Sequence, residues 1–84
     1  MRRPRENVLI SFGRRIRDLR AKKGWSQEEL AFEANIDRSY LSGVECGKRN
    51  IALANIDKLA KALGVSAREL FTEDIGPSHK ARPG

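Results

Sequence analysis

The chain has 84 residues, enough for one small domain with a helical core, and 17 Lys and Arg against 11 Asp and Glu give it a net charge of +6. That charge suits a partner rich in phosphates, although a basic surface also serves solubility alone. The single cysteine, Cys46, excludes an intramolecular disulfide. No apolar run reaches membrane-spanning length, and no apolar segment of a signal peptide follows the basic start, so we expect a cytoplasmic protein.

The N-terminal part predicts a basic arm followed by a helix. Residues 1–5 contain three arginines and a proline and are expected to be a flexible arm, while the domain is placed at residues 6–75. A helix is predicted over residues 6–23, with Gly24 ending it. Its apolar stripe consists of Val8, Leu9, Phe12, Ile16 and Leu19. Its opposite face carries Arg14, Arg15, Arg17, Arg20 and Lys22.

Residues 27–46, QEELAFEANIDRSYLSGVEC, have the pattern of two short helices joined by a tight turn. Ser26 and Glu29 form a capping box for the first helix, and Asp37 is an N-cap for the second. Asn35 stands at the turn position that needs a left-handed backbone, where glycine is usual. The apolar spacing alone fits any helical hairpin. The caps and the turn residue favour a DNA-binding helix-turn-helix, whose second helix enters the major groove. The small and apolar positions are Leu30, Ala31, Ala34, Ile36, Leu41 and Val44.

The C-terminal half predicts two more helices. Gly47 ends the second motif helix, and a fourth helix is expected over residues 53–63, before Gly64. Ser66 and Glu69 form another capping box, which opens a short fifth helix. The sequence therefore predicts a compact five-helix all-α domain, and residues 76–84 are expected to be a disordered tail. The inner face of the fourth helix is predicted to carry Leu53, Ile56, Leu59, Ala60 and Leu63.

The second motif helix offers a polar face to DNA. A helical wheel puts Leu41 and Val44 on the buried side, and the opposite side is free to meet base edges with its N-terminal part. The predicted base contacts on this helix are Arg38, Ser39, Tyr40, Ser42 and Gly43.

Three of these residues have specific chemistry. Arg38 can bond guanine O6 and N7 with both arms of its guanidinium, and its alternatives are a phosphate contact or an ion pair with Glu45 or Asp37. Tyr40 can contact a thymine methyl or a phosphate, or can be a partly buried core residue. Gly43 costs about 1 kcal/mol of helix stability relative to Ala, which indicates a close neighbour such as the groove wall.

Residues around this helix are predicted to hold the DNA backbone. Gln27 and the free N–H groups at the start of the first motif helix can hold a phosphate. Lys48 and Asn50 can hold a phosphate on the other side of the helix, and Arg17 of the first helix is a further predicted phosphate contact. Arg49, which stands between Lys48 and Asn50, can hold the backbone in the same way. The alternative is that these polar side chains are simply solvated.

Four motifs resemble those of the lambda-repressor-like helix-turn-helix family, of the Xre or Cro/C1 type. They are Arg17-x-x-Arg20 with Gly24, then SQEELA at 26–31, LSGVECGKRN at 41–50 and LAKALGV at 59–65, and the resemblance covers residues 12–71. It implies a DNA-binding transcriptional regulator. Two departures are Asn35 in place of the usual glycine, and Ala52 where the family usually has a Ser or Thr helix cap.

A narrower resemblance is to the controller proteins of restriction–modification systems, small dimeric regulators that activate at low dose and repress at high dose. It rests on DRSYLSGVE at 37–45, followed by KRN at 48–50. It implies base contacts for Arg38 and Ser39 and a backbone contact near a flexible step for Tyr40. It also implies a base or phosphate contact for Arg49 and a phosphate contact for Gln27.

The family dimerises through its C-terminal helices, so the resemblance implies a homodimer on a pseudo-palindromic operator, with half-sites roughly 34 Å apart. The predicted interface consists of Ile51, Val65, Leu70 and Phe71, with Ile75 as a further candidate. The alternative for Leu70 and Phe71 is that they close the core of the monomer.

The expected partners are operator DNA, a second copy of the chain and RNA polymerase. No catalytic group, cofactor, metal or small-molecule ligand is expected, since the sequence lacks a nucleophile–base pair and a cluster of metal ligands. Two alternative functions remain at this point. One is an antitoxin that regulates its own operon, and the other is a module of the same fold that bridges proteins without binding DNA specifically.

Overall fold

The computed structural model describes residues 5–71. It contains four α-helices and a closing 3-10 helix: α1 (Arg5–Lys22), α2 (Gln27–Ala34), α3 (Arg38–Glu45), α4 (Leu53–Leu63) and η1 (Ala67–Phe71). The all-α helix-turn-helix fold is confirmed, with the fifth helix being of the 3-10 type. Residues 1–4 of the predicted arm, the predicted tail and Ile75 lie outside the described residues. The backbone of Arg5 already belongs to α1. None of the helices described is long and apolar enough to cross a lipid bilayer.

A single apolar cluster joins all five elements. Trp25 and Ile36 are partly buried and pack against this cluster from the two loops that flank α2. The fully or almost fully buried apolar side chains are Phe12, Ile16, Leu30, Ala31, Ala34, Leu41, Val44, Ile56, Leu59, Ala60, Leu63 and Leu70.

Two residues predicted to face the core are instead exposed. Leu53 is 81% exposed, and Val8 is also exposed. Both lie in the first turn of their helix, before the packed part begins. In α1, the backbone and side chain of Ile10 lie against Gly47, just after α3.

The turn between α2 and α3 has the predicted geometry. Asn35 adopts φ 59° and ψ 49°, the left-handed conformation that ends α2. The Asp37 carboxylate accepts a hydrogen bond from the N–H of Tyr40 at 3.2 Å, which caps α3. At the start of α2, the N–H of Glu29 donates to Ser26 Oγ at 3.0 Å, and the N–H of Ser26 donates to Glu29 Oε1 at 2.7 Å. These local bonds fix the direction in which α3 leaves the turn.

The start of α4 has an unused capping position. Ala52 has the extended φ of −74° and ψ of 151° that a capping residue adopts, but no side chain caps the helix. Ala52→Ser is therefore expected to raise the free energy of unfolding by about 0.5–2 kcal/mol, as measured by urea denaturation. Ala54→Ser is the control, because it adds the same hydroxyl two residues after the cap position, where serine has a lower helix propensity than alanine. Equal effects of the two substitutions would contradict the expectation.

Candidate nucleic-acid interface

The outer face of α3 carries the predicted base contacts. Arg38 and Ser39 are exposed at its N-terminal end, while Ser42 is half-buried further along. The opposite face is fixed in the core through Leu41 and Val44. The first turn of α3 thus presents polar side chains outward, as a helix that reads base edges requires.

Arg49 lies across the outer face of α3, although it belongs to the following loop. A Cβ atom placed on Gly43 would lie 2.6 Å from Arg49 Cγ, so the aliphatic stem of Arg49 occupies the space beside this glycine. The guanidinium carbon lies 5.6 Å from the centre of the Tyr40 ring, within the range of a cation–π contact. The close neighbour that Gly43 predicts is therefore present within the protein itself.

Tyr40 is half-buried and packs against the core. Of the roles considered for it, that of a partly buried core residue is therefore present in the structure. Its hydroxyl donates to the carbonyl of Asn50 and accepts from the N–H of Ala52, both over a long 3.4 Å. These bonds connect α3 to the loop that carries Arg49.

A buried ion pair holds the end of α3 against α1. Glu45 is only 5% exposed, and its carboxylate accepts from Arg20 Nε at 2.7 Å and from Arg20 Nη2 at 2.9 Å. Arg20 Nη1 also donates to the carbonyl of Trp25 at 2.9 Å. Gln27 Nε2 donates to Glu45 Oε1 at 2.9 Å, which brings α2 into the same network. We call these three side chains the Arg20–Glu45–Gln27 network.

The network corrects two sequence-based expectations. First, Arg20 was expected on a solvated basic face, but it is bonded to Glu45. Second, Arg38 was considered as an ion-pair partner of Glu45, but the partners of Glu45 are Arg20 and Gln27. Sequence reasoning missed the pair. The clue was the position of Glu45, four residues after the buried Leu41 and hence on the same face of α3.

Hydrogen bonding to Glu45 raises the pKa of Arg20 above its ordinary value, against an opposing effect of burial. The stabilisation linked to a raised pKa is complete below the ordinary arginine value and is lost only as the pH rises beyond it. The guanidinium therefore stays charged at every pH at which duplex DNA persists.

The residues predicted to contact phosphates lie on α1, at the start of α2 and in the loop after α3. Lys48, Asn50 and Arg17 are all exposed. The amide of Gln27 is bound to Glu45, so its side chain is held in place from the interior. In the first turn of α2 the N–H of Glu29 already donates to Ser26 Oγ, so the backbone donors that a phosphate could use at this end are those of Gln27 and Glu28.

The residues predicted for the dimer interface differ in how much of each side chain is exposed. Leu70 is fully buried inside the protomer, so its side chain has no surface left for a second copy. Ile51 and Val65 are half-buried against the core. Phe71 remains 54% exposed, although its ring lies 5.0 Å from that of Phe12. Leu53, which the prediction placed in the core, is a further exposed apolar side chain of this C-terminal half.

Comparisons with known proteins agree with this geometry. Residues 16–70 match the helix-turn-helix family. The chain is 46% identical over 66 residues to the control protein C.BamHI of Bacillus amyloliquefaciens, covering 77% of this chain and 82% of that protein.

Two solved structures are similar over most of the fold. The restriction–modification controller protein C.AhdI from Aeromonas hydrophila aligns with a TM-score of 0.74 and 59% identity, covering 75% of this chain and 96% of that one. The controller protein C.Esp1396I, as a tetramer in complex with its natural 35-base-pair operator, aligns with a TM-score of 0.70 and 36% identity, covering 76% of this chain and 84% of that one. The chain therefore belongs to the lambda-repressor-like, Xre-type helix-turn-helix family of DNA-binding transcriptional regulators.

Proposed function

We propose that this chain is the controller protein of a restriction–modification system, which binds a pseudo-palindromic operator as a homodimer. One observation carries the proposal: the outer face of α3 presents Arg38 and Ser39, with Arg49 lying across it, while the buried face is fixed to α1 and α2. The similarity to C.BamHI and C.AhdI supports the narrower assignment.

In the proposed complex, α3 enters the major groove and Arg38 bonds a guanine through O6 and N7. Lys48 and Asn50 on one side, and Gln27 and Arg17 on the other, bind phosphates and set the register without reading sequence. A single module of this size has a small interface with DNA, so tight specific binding requires two copies.

The proposed dimer forms through the C-terminal half, where Phe71 and Leu53 leave apolar surface exposed. Ile51 and Val65, which are half-buried against the core, are assigned to the same interface. Binding beside a promoter then blocks or recruits RNA polymerase, and the concentration of the protein sets how much of the operator is occupied.

The experiment is a selection of binding sites from random duplex DNA, with Arg38→Ala and Lys58→Ala run beside the unchanged protein. We expect an enriched pseudo-palindrome, and Arg38→Ala is expected to lose about 1–3 kcal/mol of preference at one base pair in each half-site. Lys58→Ala removes one exposed positive charge from α4 and controls for the loss of charge alone. Fluorescence anisotropy titrations with operators that carry single base changes measure the loss of binding free energy at each position.

Two outcomes would overturn the proposal. The first is no enriched sequence at about 100–150 mM salt, where non-specific phosphate binding is already weakened, and it would favour the protein-bridging alternative. The second is a monomer by sedimentation at micromolar concentration with operator present. An equal loss of preference in Arg38→Ala and Lys58→Ala would contradict the base contact assigned to Arg38.

A further inference from the structure

Position 43 of α3 is a place where a recognition helix would normally present a side chain to DNA. It lies four residues after the exposed Ser39 and therefore on the same outer face. The residue there is glycine, which has no side chain and weakens a helix interior. The space that its side chain would occupy is filled by Arg49, whose Cγ, Nε and Cδ lie 2.6, 3.4 and 3.5 Å from a Cβ built on Gly43.

The loop that carries Arg49 is fixed to α3 on both sides of this residue. Before it, the N–H of Lys48 donates to the carbonyl of Gly43 at 2.9 Å. After it, the Tyr40 hydroxyl bonds the carbonyl of Asn50 and the N–H of Ala52, each at 3.4 Å. The guanidinium itself lies over the Tyr40 ring, with 5.6 Å between its carbon and the ring centre.

We propose that Tyr40 and Gly43 form a platform that holds Arg49 across α3, so that Arg49 reads the base pair that a side chain at position 43 would otherwise read. Gly43 then determines sequence preference through Arg49 and makes no base contact of its own. This inference rests on the proposed function and deepens it by naming the positioning residues of one base contact.

The physical reason lies in the length of the arginine side chain. A free arginine on a loop would lose much rotational freedom when it binds a base, and that cost would reduce its contribution to affinity. The Tyr40–Gly43 platform restricts the side chain before DNA arrives. An alanine at position 43 would push the stem away, because a Cβ contact of 2.6 Å is too short to persist.

The first test needs no DNA. Ring currents from Tyr40 should shift the Arg49 Hδ resonances in the NMR spectrum of the unchanged protein, and Gly43→Ala should remove that shift while the circular dichroism of the helices persists. Ser42→Ala changes a neighbouring residue of α3 and should leave the shift in place. In thermal unfolding, Gly43→Ala should raise the midpoint more in the Arg49→Ala background than in the unchanged protein. Alanine is the better helix former, and without the Arg49 side chain no steric clash offsets that gain.

The second test uses the selected operator and its single-base variants. Gly43→Ala is expected to relax preference at the same base pair as Arg49→Ala, by a factor within the roughly 5- to 150-fold that one bidentate contact supplies. The double variant should show the same base preference at that position as Arg49→Ala alone. Tyr40→Leu, which removes the ring, should relax that position more than Tyr40→Phe, which removes only the hydroxyl.

Three results would overturn the inference. One is an equal loss of affinity from Gly43→Ala with and without Arg49, which would mean that Gly43 itself approaches the DNA. Another is relaxation at different base pairs in Gly43→Ala and Arg49→Ala. The last is an Arg49 Hδ shift that persists in Gly43→Ala. Absence of any sequence preference in the unchanged protein would instead overturn the proposed function, while the NMR comparison would still decide whether the platform holds Arg49.

Discussion

Replacing Glu45 by alanine is expected to lower the free energy of unfolding by about 3–5 kcal/mol, because it leaves the charge of Arg20 without its partner in a mostly buried position. The Arg20 side chain is 16% exposed and that of Glu45 is 3% exposed, so water can replace little of what is lost. Gln27 loses its acceptor at the same time. A small domain has only about 5–15 kcal/mol of stability in total, so urea denaturation should show a large shift of the midpoint.

Two further variants show whether burial is the cause. Glu45→Gln keeps the shape and one acceptor oxygen but not the charge, so its effect should be intermediate. Asp57→Ala breaks the exposed ion pair with Lys61 in α4, whose nitrogen and oxygen are 3.2 Å apart, and should cost at most about 0.5 kcal/mol. Similar mild losses for Glu45→Ala and Asp57→Ala would show that the Arg20–Glu45–Gln27 network does not hold α3.

Gly13→Ala is expected to destabilise the domain by about 1–3 kcal/mol, although alanine is the better helix former by up to about 1 kcal/mol. A Cβ atom on Gly13 would lie 2.3 Å from the carbonyl oxygen of Val44 and 2.6 Å from that of Glu45. Both atoms belong to the backbone of α3, so the two helices would have to move apart. Thermal unfolding measures the effect, since each 1 kcal/mol shifts the midpoint by about 4–8 °C in a domain of this size.

Gly43→Ala is the matched comparison for Gly13→Ala. Both replace a glycine in the interior of a helix, but the Cβ at Gly43 would meet the flexible stem of Arg49 instead of a backbone. Gly43→Ala should therefore leave the unfolding midpoint clearly higher than Gly13→Ala does. Equal midpoints for the two variants would mean that the contact between α1 and α3 adjusts without cost.

The local features of the fold could be predicted from sequence because they depend on neighbouring residues. The capping box of Ser26 and Glu29, the cap at Asp37 and the left-handed Asn35 each involve residues at most four positions apart. The bounds of α4 follow from an apolar repeat that ends at Gly64. Such features need no knowledge of how the helices cross.

The missed features depend on helix crossing. Arg20 and Glu45 are 25 positions apart, and the close approach of Gly13 to Val44 is set by the angle between α1 and α3. The sequence does show a glycine inside α1 and an acidic residue on the buried face of α3. Neither observation identifies the residue on the other helix that it contacts.

The division of apolar residues between core and surface was also beyond the sequence. Leu70 and Leu53 both fit an apolar pattern. Leu70 is buried because η1 packs against α1, whereas Leu53, the first residue of α4, stays exposed. Arg15 Nε donates to the carbonyl of Glu69 at 2.9 Å, and the rings of Phe12 and Phe71 are in contact there. Only this tertiary contact decides which side chain closes the core.

The shortness of α3 has a consequence for anyone who would retarget this domain. Helices below about 12–15 residues are marginal in water, so the eight residues of α3 would not keep their shape as an excised peptide. New DNA sequence preferences therefore have to be introduced by substitutions within the intact domain. A useful library would vary positions 38, 39 and 42 jointly with the loop residue Arg49, and would leave Glu45 untouched. The proposed base contacts lie on two segments of the chain, α3 and the loop after it. A graft of α3 alone into another scaffold would therefore transfer only part of them.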